Sequence, residues 1–294
     1  MQTLYIQSPL LSVFFILVFS VMVGSFLNVV IYRLPLMMKR SWREQCQEIS
    51  KIPAANIPTN RFNLIAPRSR CPHCKSQITA MQNIPIVSYL ILNGKCANCA
   101  ADISMRYPMI ELITGILSVI VVWHFGFSWE TLAAIIITWA LIVISAIDLE
   151  EQHIYDDIVL PLLWGGLLIS TISPLVEAHT LFISPTNAIA GAIAGYLSLW
   201  SVYQLFRVLT GKEGMGYGDF KLLAALGACL GWQMVPFIIL VAAITGSIVG
   251  TISILSKQHE RGTPIPFGPY LSAAGWSAML WGNDATTLYL NYVN

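Results

Sequence analysis

Charged residues are scarce in this chain. Only 11% of its 294 residues are Asp, Glu, Lys or Arg, whereas about a quarter of a soluble globular domain is charged. Hydrophobic residues make up 56% of the sequence and come in long unbroken runs. Backbone polar groups inside lipid must pair within a helix or a closed barrel, and barrel strands alternate apolar and polar residues. The missing alternation excludes a barrel and predicts a bundle of membrane helices.

The first apolar segment also lacks the marks of a removable signal peptide. No basic stretch precedes it, and no A-x-A cleavage site follows it. We therefore expect it to be retained as a membrane helix. The net charge of the chain is only +1, so its overall charge does not favour nucleic acid or an acidic partner.

The apolar runs predict the number of helices. A membrane-spanning helix needs about 20 apolar residues, and eight runs are suitable, although several are short. They are 10–32, 108–125, 131–149, 157–175, 186–208, 218–233, 236–256 and 267–282. The sequence thus predicts an all-α polytopic membrane protein with about eight transmembrane helices, seven being the alternative.

The distribution of basic residues predicts the orientation. Eleven of the sixteen Lys and Arg residues lie between Arg33 and Arg106, which the positive-inside rule places in the cytoplasm. If eight helices cross the membrane and this loop is cytoplasmic, the other five Lys and Arg residues lie on the cytoplasmic face as well. We predict three parts: a first transmembrane helix (1–32), a small cytoplasmic zinc-binding module between helices 1 and 2 (33–107), and a membrane domain of about seven helices (108–294).

Four of the six cysteines form two CxxC pairs, Cys71-Pro-His-Cys74 and Cys96-Ala-Asn-Cys99. Two such pairs can present four thiolates tetrahedrally to zinc, and the metal can hold together a module too small for its own core. A cytoplasmic position keeps thiols reduced, which favours metal over disulfides. The alternative is four unligated thiols in a loop.

Two carboxylates lie at the ends of predicted membrane helices. Asp148 follows the apolar run that ends at Ile147, and Asp219 follows Gly216-Tyr217-Gly218 where a new run begins. Acids at the membrane edge are costly and suggest function. Two converging carboxylates share a proton, so that one acts as acid and the other as base. From spacing alone, it is equally possible that each Asp merely flanks a helix.

These residues belong to a pattern that covers nearly the whole chain and resembles the type IV prepilin peptidases. These are the bifunctional leader peptidases and N-methyltransferases of type IV pilus and type II secretion systems. The resemblance is carried by Gly24-Ser-Phe-Leu-Asn-Val-Val-Ile-Tyr-Arg-Leu-Pro35, the two CxxC pairs, Ile103–Glu111, Ile147-Asp-Leu, Asp156-Asp157, Gly216–Gly227 and Ile265-Pro-Phe-Gly-Pro-Tyr270. The chain departs from the family's pattern at Tyr155, where a proline often precedes the acidic pair.

The resemblance implies an aspartic endopeptidase of the bacterial inner membrane, with Asp148 and Asp219 as its catalytic pair. Its substrates would be prepilins and pseudopilins, cleaved after a glycine that ends a basic leader at the cytoplasmic membrane face. The new N-terminal residue would then be methylated from S-adenosylmethionine. The four cysteines match the family's zinc module. Gly216, Gly218, Lys221, Asp156, Asp157, Arg106 and Glu111 also match family motifs, as supporting or substrate-binding candidates.

The sequence gives less information about the methyltransferase activity. The chain lacks the glycine-rich fingerprint of a Rossmann methyltransferase, so no residues are assigned to the cofactor. Arg106 and Glu111 can equally be an interfacial anchor and a helix-start acid. Membrane lipid is the remaining expected partner. A zinc-dependent membrane sensor or transporter, with the acids as an ion path, is the alternative function.

Overall fold

The computed structural model describes residues 9–50, 62–172, 183–256 and 265–293. Nine α-helices lie in these ranges, with two short 3-10 turns, Met81–Asn83 and Trp232–Met234. The helices are α1 Pro9–Ser50, α2 Val87–Ile91, α3 Arg106–Phe125, α4 Trp129–Glu151, α5 Asp156–Ile172, α6 Pro185–Thr210, α7 Tyr217–Leu230, α8 Val235–Leu255 and α9 Gly268–Val293. The described residues contain two isolated β-bridges and no strand. The predicted all-α class is confirmed.

Five helical segments are long and apolar enough to cross a membrane: Leu10–Ile49, Arg106–Phe125, Trp129–Glu151, Pro185–Thr210 and Trp232–Leu255. The other three predicted spans coincide with α5, α7 and α9, of which α7 has only 14 residues. The last part of the predicted span 157–175 lies outside the described residues. Within the described residues, each of the eight apolar runs is mainly α-helical, and five of them have the length and composition of a full span.

The first helix extends beyond its predicted end at residue 32. Helix α1 continues to Ser50 and contains Pro35. The stretch after Arg33 is rich in polar and charged residues, which excludes it from the bilayer but does not oppose helix formation. The predicted boundary therefore marks where the apolar run ends and not where the helix ends.

Two compact units are distinguished in the chain, Met1–Ile120 and Val121–Asn294. In the first unit, α1 and α3 approach closely at Gly24, where a Cβ atom would come within 2.8 Å of the Glu111 Cα atom. Asn28 of α1 donates from Nδ2 to the carbonyl oxygen of Tyr107, at 3.0 Å. These contacts hold the start of α3 against the first helix.

In the second unit, the short helix α7 is the buried centre. Phe220, Leu222, Leu223 and Leu226 are completely inaccessible to solvent. Helix α7 packs against α5, α6 and α9. Two glycines, Gly191 of α6 and Gly227 of α7, face each other so closely that a Cβ atom on either would overlap the other's carbonyl oxygen. Close approach of small residues is the usual way in which membrane helices pack.

Candidate active site and metal centre

Asp148 lies in the last turn of α4 with only 5% of its surface exposed. Its Oδ2 atom accepts a hydrogen bond of 3.0 Å from the backbone N–H of Gly268, the first residue of α9. The first N–H groups of a helix have no partner inside the helix and carry its positive partial charge. The N-terminus of α9 therefore holds and stabilises the Asp148 carboxylate.

Gly268 has no space for a side chain. A Cβ atom there would lie 2.7 Å from Oδ2 of Asp148 and 3.0 Å from Cδ1 of Ile154. The sequence shows Gly268 only as part of the Ile265–Tyr270 motif, and its contact with Asp148 was not predicted. Glycine before Pro269 at the start of a helix was the available signal, but it does not reveal the partner.

Asp219 lies in the first turn of α7 and is also buried, with 7% of its surface exposed. Its backbone N–H donates to the carbonyl oxygen of Gly216, at 3.3 Å. A Cβ atom at Gly218 would lie 2.7 Å from Cβ of Ile154, the same side chain that contacts Gly268. The absence of a side chain at Gly218 therefore allows the start of α7 to pack against Ile154.

The two carboxylates interact although they belong to different helices. Asp148 is close enough to Asp219 for two negative charges to repel each other. Both acids are buried, and the starts of α9 and α7 that flank them both pack against Ile154.

The other predicted polar residues of this unit lie at the helix starts. Lys221 of α7 contacts both carboxylate oxygens of Asp156 from Nζ, each at 2.7 Å. This ion pair is substantially exposed, so its contribution to stability is small, about 0–1 kcal/mol. Asp156 and Asp157 form the first turn of α5, where negative charge favours a helix N-terminus.

Gly268→Ala is expected to reduce peptide cleavage strongly while the chain still inserts into the membrane. The added methyl group would collide with the Asp148 carboxylate and displace it from the α9 N-terminus. Gly165→Ala is the matched control, because a Cβ atom at Gly165 in α5 meets nothing within 4 Å. The measurement is the cleavage rate of both purified variants. Equal rates for the two would show that the Asp148–Gly268 geometry is unimportant.

The four predicted metal ligands are brought together in the first unit. The sulfur atoms of Cys71, Cys74, Cys96 and Cys99 all lie within 4.8 Å of one another. The Sγ atoms of Cys71 and Cys99 are 3.8 Å apart. Tetrahedral zinc with Zn–S bonds of about 2.3 Å places its sulfur ligands about 3.8 Å apart, so this arrangement fits zinc.

The two CxxC turns repeat the same backbone geometry. In the first turn, the N–H of Cys71 donates to the carbonyl oxygen of Ser76, and the N–H of Lys75 donates to that of Cys71. The second turn has the same two bonds, from Cys96 to Ala101 and from Ala100 to Cys96. Lys75 and Ala100 both have positive φ angles, 60° and 55°. The bridges Arg70–Gln77 and Lys95–Asp102 close both turns at equivalent positions. Such paired turns present two thiols each to one metal ion.

Polar neighbours favour the thiolate form of one cysteine. The Ser76 hydroxyl lies 2.9 Å from Sγ of Cys74, and the Asn98 amide donates to the same sulfur at 3.6 Å. Hydrogen bonds from the Ser76 side chain and backbone and from Asn98 lower the pKa of the Cys74 thiol to about 5. A thiol must lose its proton to bind a metal, so this environment suits a ligand.

Glu111 and Arg106 lie at the start of α3 and have different surroundings. Glu111 is 7% exposed, and its Oε2 atom accepts the backbone N–H of Ile86 at 2.7 Å. The Arg106 guanidinium lies over the ring of Tyr107, with Cζ 5.4 Å from the ring centre. Glu111 therefore connects the membrane helix to the cysteine module.

Arg33 is buried, and the sequence shows it only as a positive charge and as one residue of the Gly24–Pro35 motif. Its guanidinium donates to the carbonyl oxygens of Asn63, Leu64 and Pro67, at 2.8, 3.4 and 2.6 Å. The side chain also lies over the Phe62 ring, 5.7 Å from its centre. Arg33 thus fixes the segment leading to the first CxxC turn. Its place at the end of an apolar run and in that motif was the available signal, but neither reveals its partners.

The fold and sites define a multi-pass helical membrane protein with a buried pair of interacting carboxylates and a module of four converging thiols. Two family models match this chain: the bacterial peptidase A24 N-terminal domain over residues 18–125 and the type IV leader peptidase family over residues 135–251. The chain belongs to the type IV leader peptidase family.

The relatives extend over almost the full chain. A prepilin leader peptidase/N-methyltransferase of Stutzerimonas stutzeri is 52% identical, over 97% of this chain and 96% of the relative. Proteins with the same name from Aeromonas hydrophila and Pseudomonas aeruginosa are both 49% identical, covering 94% and 97% of this chain and 92% and 95% of their own lengths. No solved structure matches the chain.

Proposed function

We propose that this protein is an aspartic endopeptidase that removes the leader from prepilins and pseudopilins and then methylates the new N-terminus. The observation that carries the peptidase part is the convergence of two buried carboxylates, Asp148 and Asp219, from separate helices. The relatives' names supply both activities and the prepilin substrate. Extension to pseudopilins rests on the sequence resemblance.

The pair of acids can hydrolyse a peptide bond with one shared proton. The ionised carboxylate takes a proton from water as the water oxygen attacks the carbonyl carbon of the scissile bond. The protonated carboxylate gives its proton to the carbonyl oxygen. Collapse of the tetrahedral intermediate breaks the C–N bond, and the leaving amine receives a proton from the pair. The N–H of Gly268 keeps Asp148 in place during these steps.

The supporting residues shape this site without touching the reacting bond. Gly216 is the N-cap residue of α7, Gly218 lets its first turn pack against Ile154, and the Lys221–Asp156 pair ties that turn to α5. Asp157 begins α5 beside Asp156. We assign these five residues to the positioning of Asp219, so their replacement reduces cleavage less than replacement of either catalytic acid.

Zinc has a structural role in this proposal. Four thiolates fill a tetrahedral shell and leave no position for a catalytic water, unlike the three-ligand sites of zinc hydrolases. Cys71, Cys74, Cys96 and Cys99 would hold the metal and join the two CxxC turns. A sensor or transporter is not favoured, since the acids lie at helix ends and the family is a peptidase family.

S-adenosylmethionine is the proposed methyl donor. A groove of about 310 Å³ in the second unit is lined mainly by apolar residues of α4, α5 and α7. Asp157 is the charged residue in this lining. The donor carries amino-acid, ribose and base groups that need several polar partners. The groove does not fit such a molecule, and we assign no residue to the donor. Arg106 and Glu111 are assigned to positioning the module.

We place the protein in the bacterial inner membrane, with the cysteine module and both acids facing the cytoplasm. An impermeant thiol reagent added outside intact cells should then fail to label Gln77→Cys in the module, or cysteines placed at positions 148 and 219. Gln233→Cys is the positive control, because the segment 232–236 contains no Lys or Arg and is expected outside. Rapid external labelling of Gln77→Cys would show that the module faces the outside and that the proposed orientation is wrong.

The proposed function is tested with purified protein, a prepilin and labelled S-adenosylmethionine. Cleavage is followed as loss of the leader, and methylation as label on the shortened product. We expect both products, with label absent from uncleaved prepilin because methylation needs the new N-terminus. Failure to cleave any prepilin would contradict the peptidase assignment, and cleavage without label would contradict the transferase assignment alone.

A further inference from the structure

The short helix α2 and the turn before it present an apolar surface to solvent. Leu90 and Ile91 are 67% and 74% exposed, and Met81, Ile84 and Val87 are exposed as well. Neither α2 nor the 3-10 turn before it contains a buried residue. Contiguous exposed apolar side chains on a polar module indicate a surface that contacts something else.

Two contacts fix the position of α2 relative to a membrane helix. Ile86, immediately before α2, donates its N–H to Glu111, the sixth residue of α3. With a rise of about 1.5 Å per residue, Glu111 lies about 7.5 Å along α3 from its start. The Tyr89 hydroxyl lies 2.9 Å from Sδ of Met105, the residue before α3. Helix α2 is therefore held at the level of the first turns of α3.

The turn that starts α2 has an unfavourable backbone conformation. Ile86 has φ 59° and ψ −50°, and Val87 donates its N–H to the carbonyl oxygen of Pro85. This three-residue γ-turn is rare, and positive φ is costly for a β-branched residue. The Glu111 carboxylate stabilises the turn through the Ile86 N–H. The orientation of α2 is thus maintained by the hydrogen bond between Ile86 and Glu111.

The surface of α3 at this level is apolar and exposed. Met109 and Leu112 of α3 are about half exposed, and α3 is one of the five helices suited to cross the membrane. A membrane helix turns such side chains toward lipid. The hydrogen bond from Ile86 to Glu111 holds the exposed apolar side chains of α2 at the same level along α3 as these residues.

We propose that α2 is an interfacial helix that inserts Leu90, Ile91 and their apolar neighbours into the phospholipid boundary of the membrane crossed by α3. Apolar helix faces lie in this boundary when a polar part stays in water. One turn of helix would bind lipid weakly alone, but the Glu111 contact already holds it at the membrane edge. The occupant is phospholipid, and the metal module is thereby anchored close to the bilayer.

Photocrosslinking in phospholipid nanodiscs tests this inference on the full chain. Leu90→benzoylphenylalanine and Ile91→benzoylphenylalanine are irradiated and digested, and the peptides are analysed by mass. The matched control is Gln77→benzoylphenylalanine, an exposed polar position on the first CxxC turn. Retained zinc identifies the variants that have a folded module. A folded variant at either position 90 or position 91 is sufficient for the test.

We expect peptides carrying the mass of one phospholipid at positions 90 and 91, with several-fold less at position 77. Crosslinks to a second copy, to another part of the same chain or to added prepilin, without lipid adducts, would overturn the inference. Equal lipid adducts at positions 77 and 90 would overturn it too. None of these outcomes depends on peptidase activity, so the result stands apart from the proposed function.

Discussion

Asp148→Asn or Asp219→Asn is expected to abolish prepilin cleavage, lowering the rate at least about 100-fold, which is typical when a general acid or base is removed. Asparagine keeps the size of the side chain but takes no proton from water and donates none as an acid. Either change leaves a single acid. One carboxyl group cannot take a proton from water and give a proton to the carbonyl oxygen at the same time. Cleavage rate at saturating prepilin is the measurement.

Two comparisons separate loss of chemistry from loss of fold. Asp156→Asn removes an acid from the exposed Lys221 pair, where the cost is small, and should retain most cleavage. Zinc content of Asp148→Asn and Asp219→Asn should equal that of the unchanged protein, since the cysteine module lies in the other unit. Cleavage near the normal rate in either asparagine variant would rule out the aspartic mechanism.

Cys71→Ser should reduce bound zinc from about one ion per chain to a small fraction, and the same is expected for Cys74, Cys96 and Cys99. A module of this size depends on the metal for its folding, and each sulfur is one quarter of the coordination shell. The equivalent hydrogen bonds of the two turns predict a similar loss from either turn. Metal analysis of the four variants is the measurement.

The consequences for activity should be graded. Without zinc, the module becomes sensitive to proteases, while Asp148 and Asp219 keep their helices in the second unit. We expect partial loss of cleavage, in contrast to the complete loss for the acids, and a larger loss of methylation. Cys46→Ser is the control, because Cys46 is exposed on α1 and is not among the clustered sulfurs. Unchanged zinc content in all four cysteine variants would show that these thiols do not bind the metal.

Local pattern was sufficient for the helices and for the convergence of the four thiols. A membrane helix satisfies its own backbone hydrogen bonds, so a long apolar run predicts it without knowledge of its neighbours. The two CxxC pairs were likewise informative because each turn is local, and a metal ion demands that four thiols converge. The continuation of α1 to Ser50 was not predicted, because polarity reports where lipid ends, and a helix can continue into water.

Contacts between distant segments required the folded structure. Asp148 and Gly268 are 120 residues apart, and no periodicity indicates that the α9 N-terminus meets that carboxylate. The same holds for Glu111 and the Ile86 N–H, and for Arg33 and the carbonyls it binds. Apolar periodicity tells which residues leave water, but several helix arrangements bury them equally well. The choice among those arrangements depends on close contacts such as that of Gly191 with Gly227, where the shape of both surfaces decides.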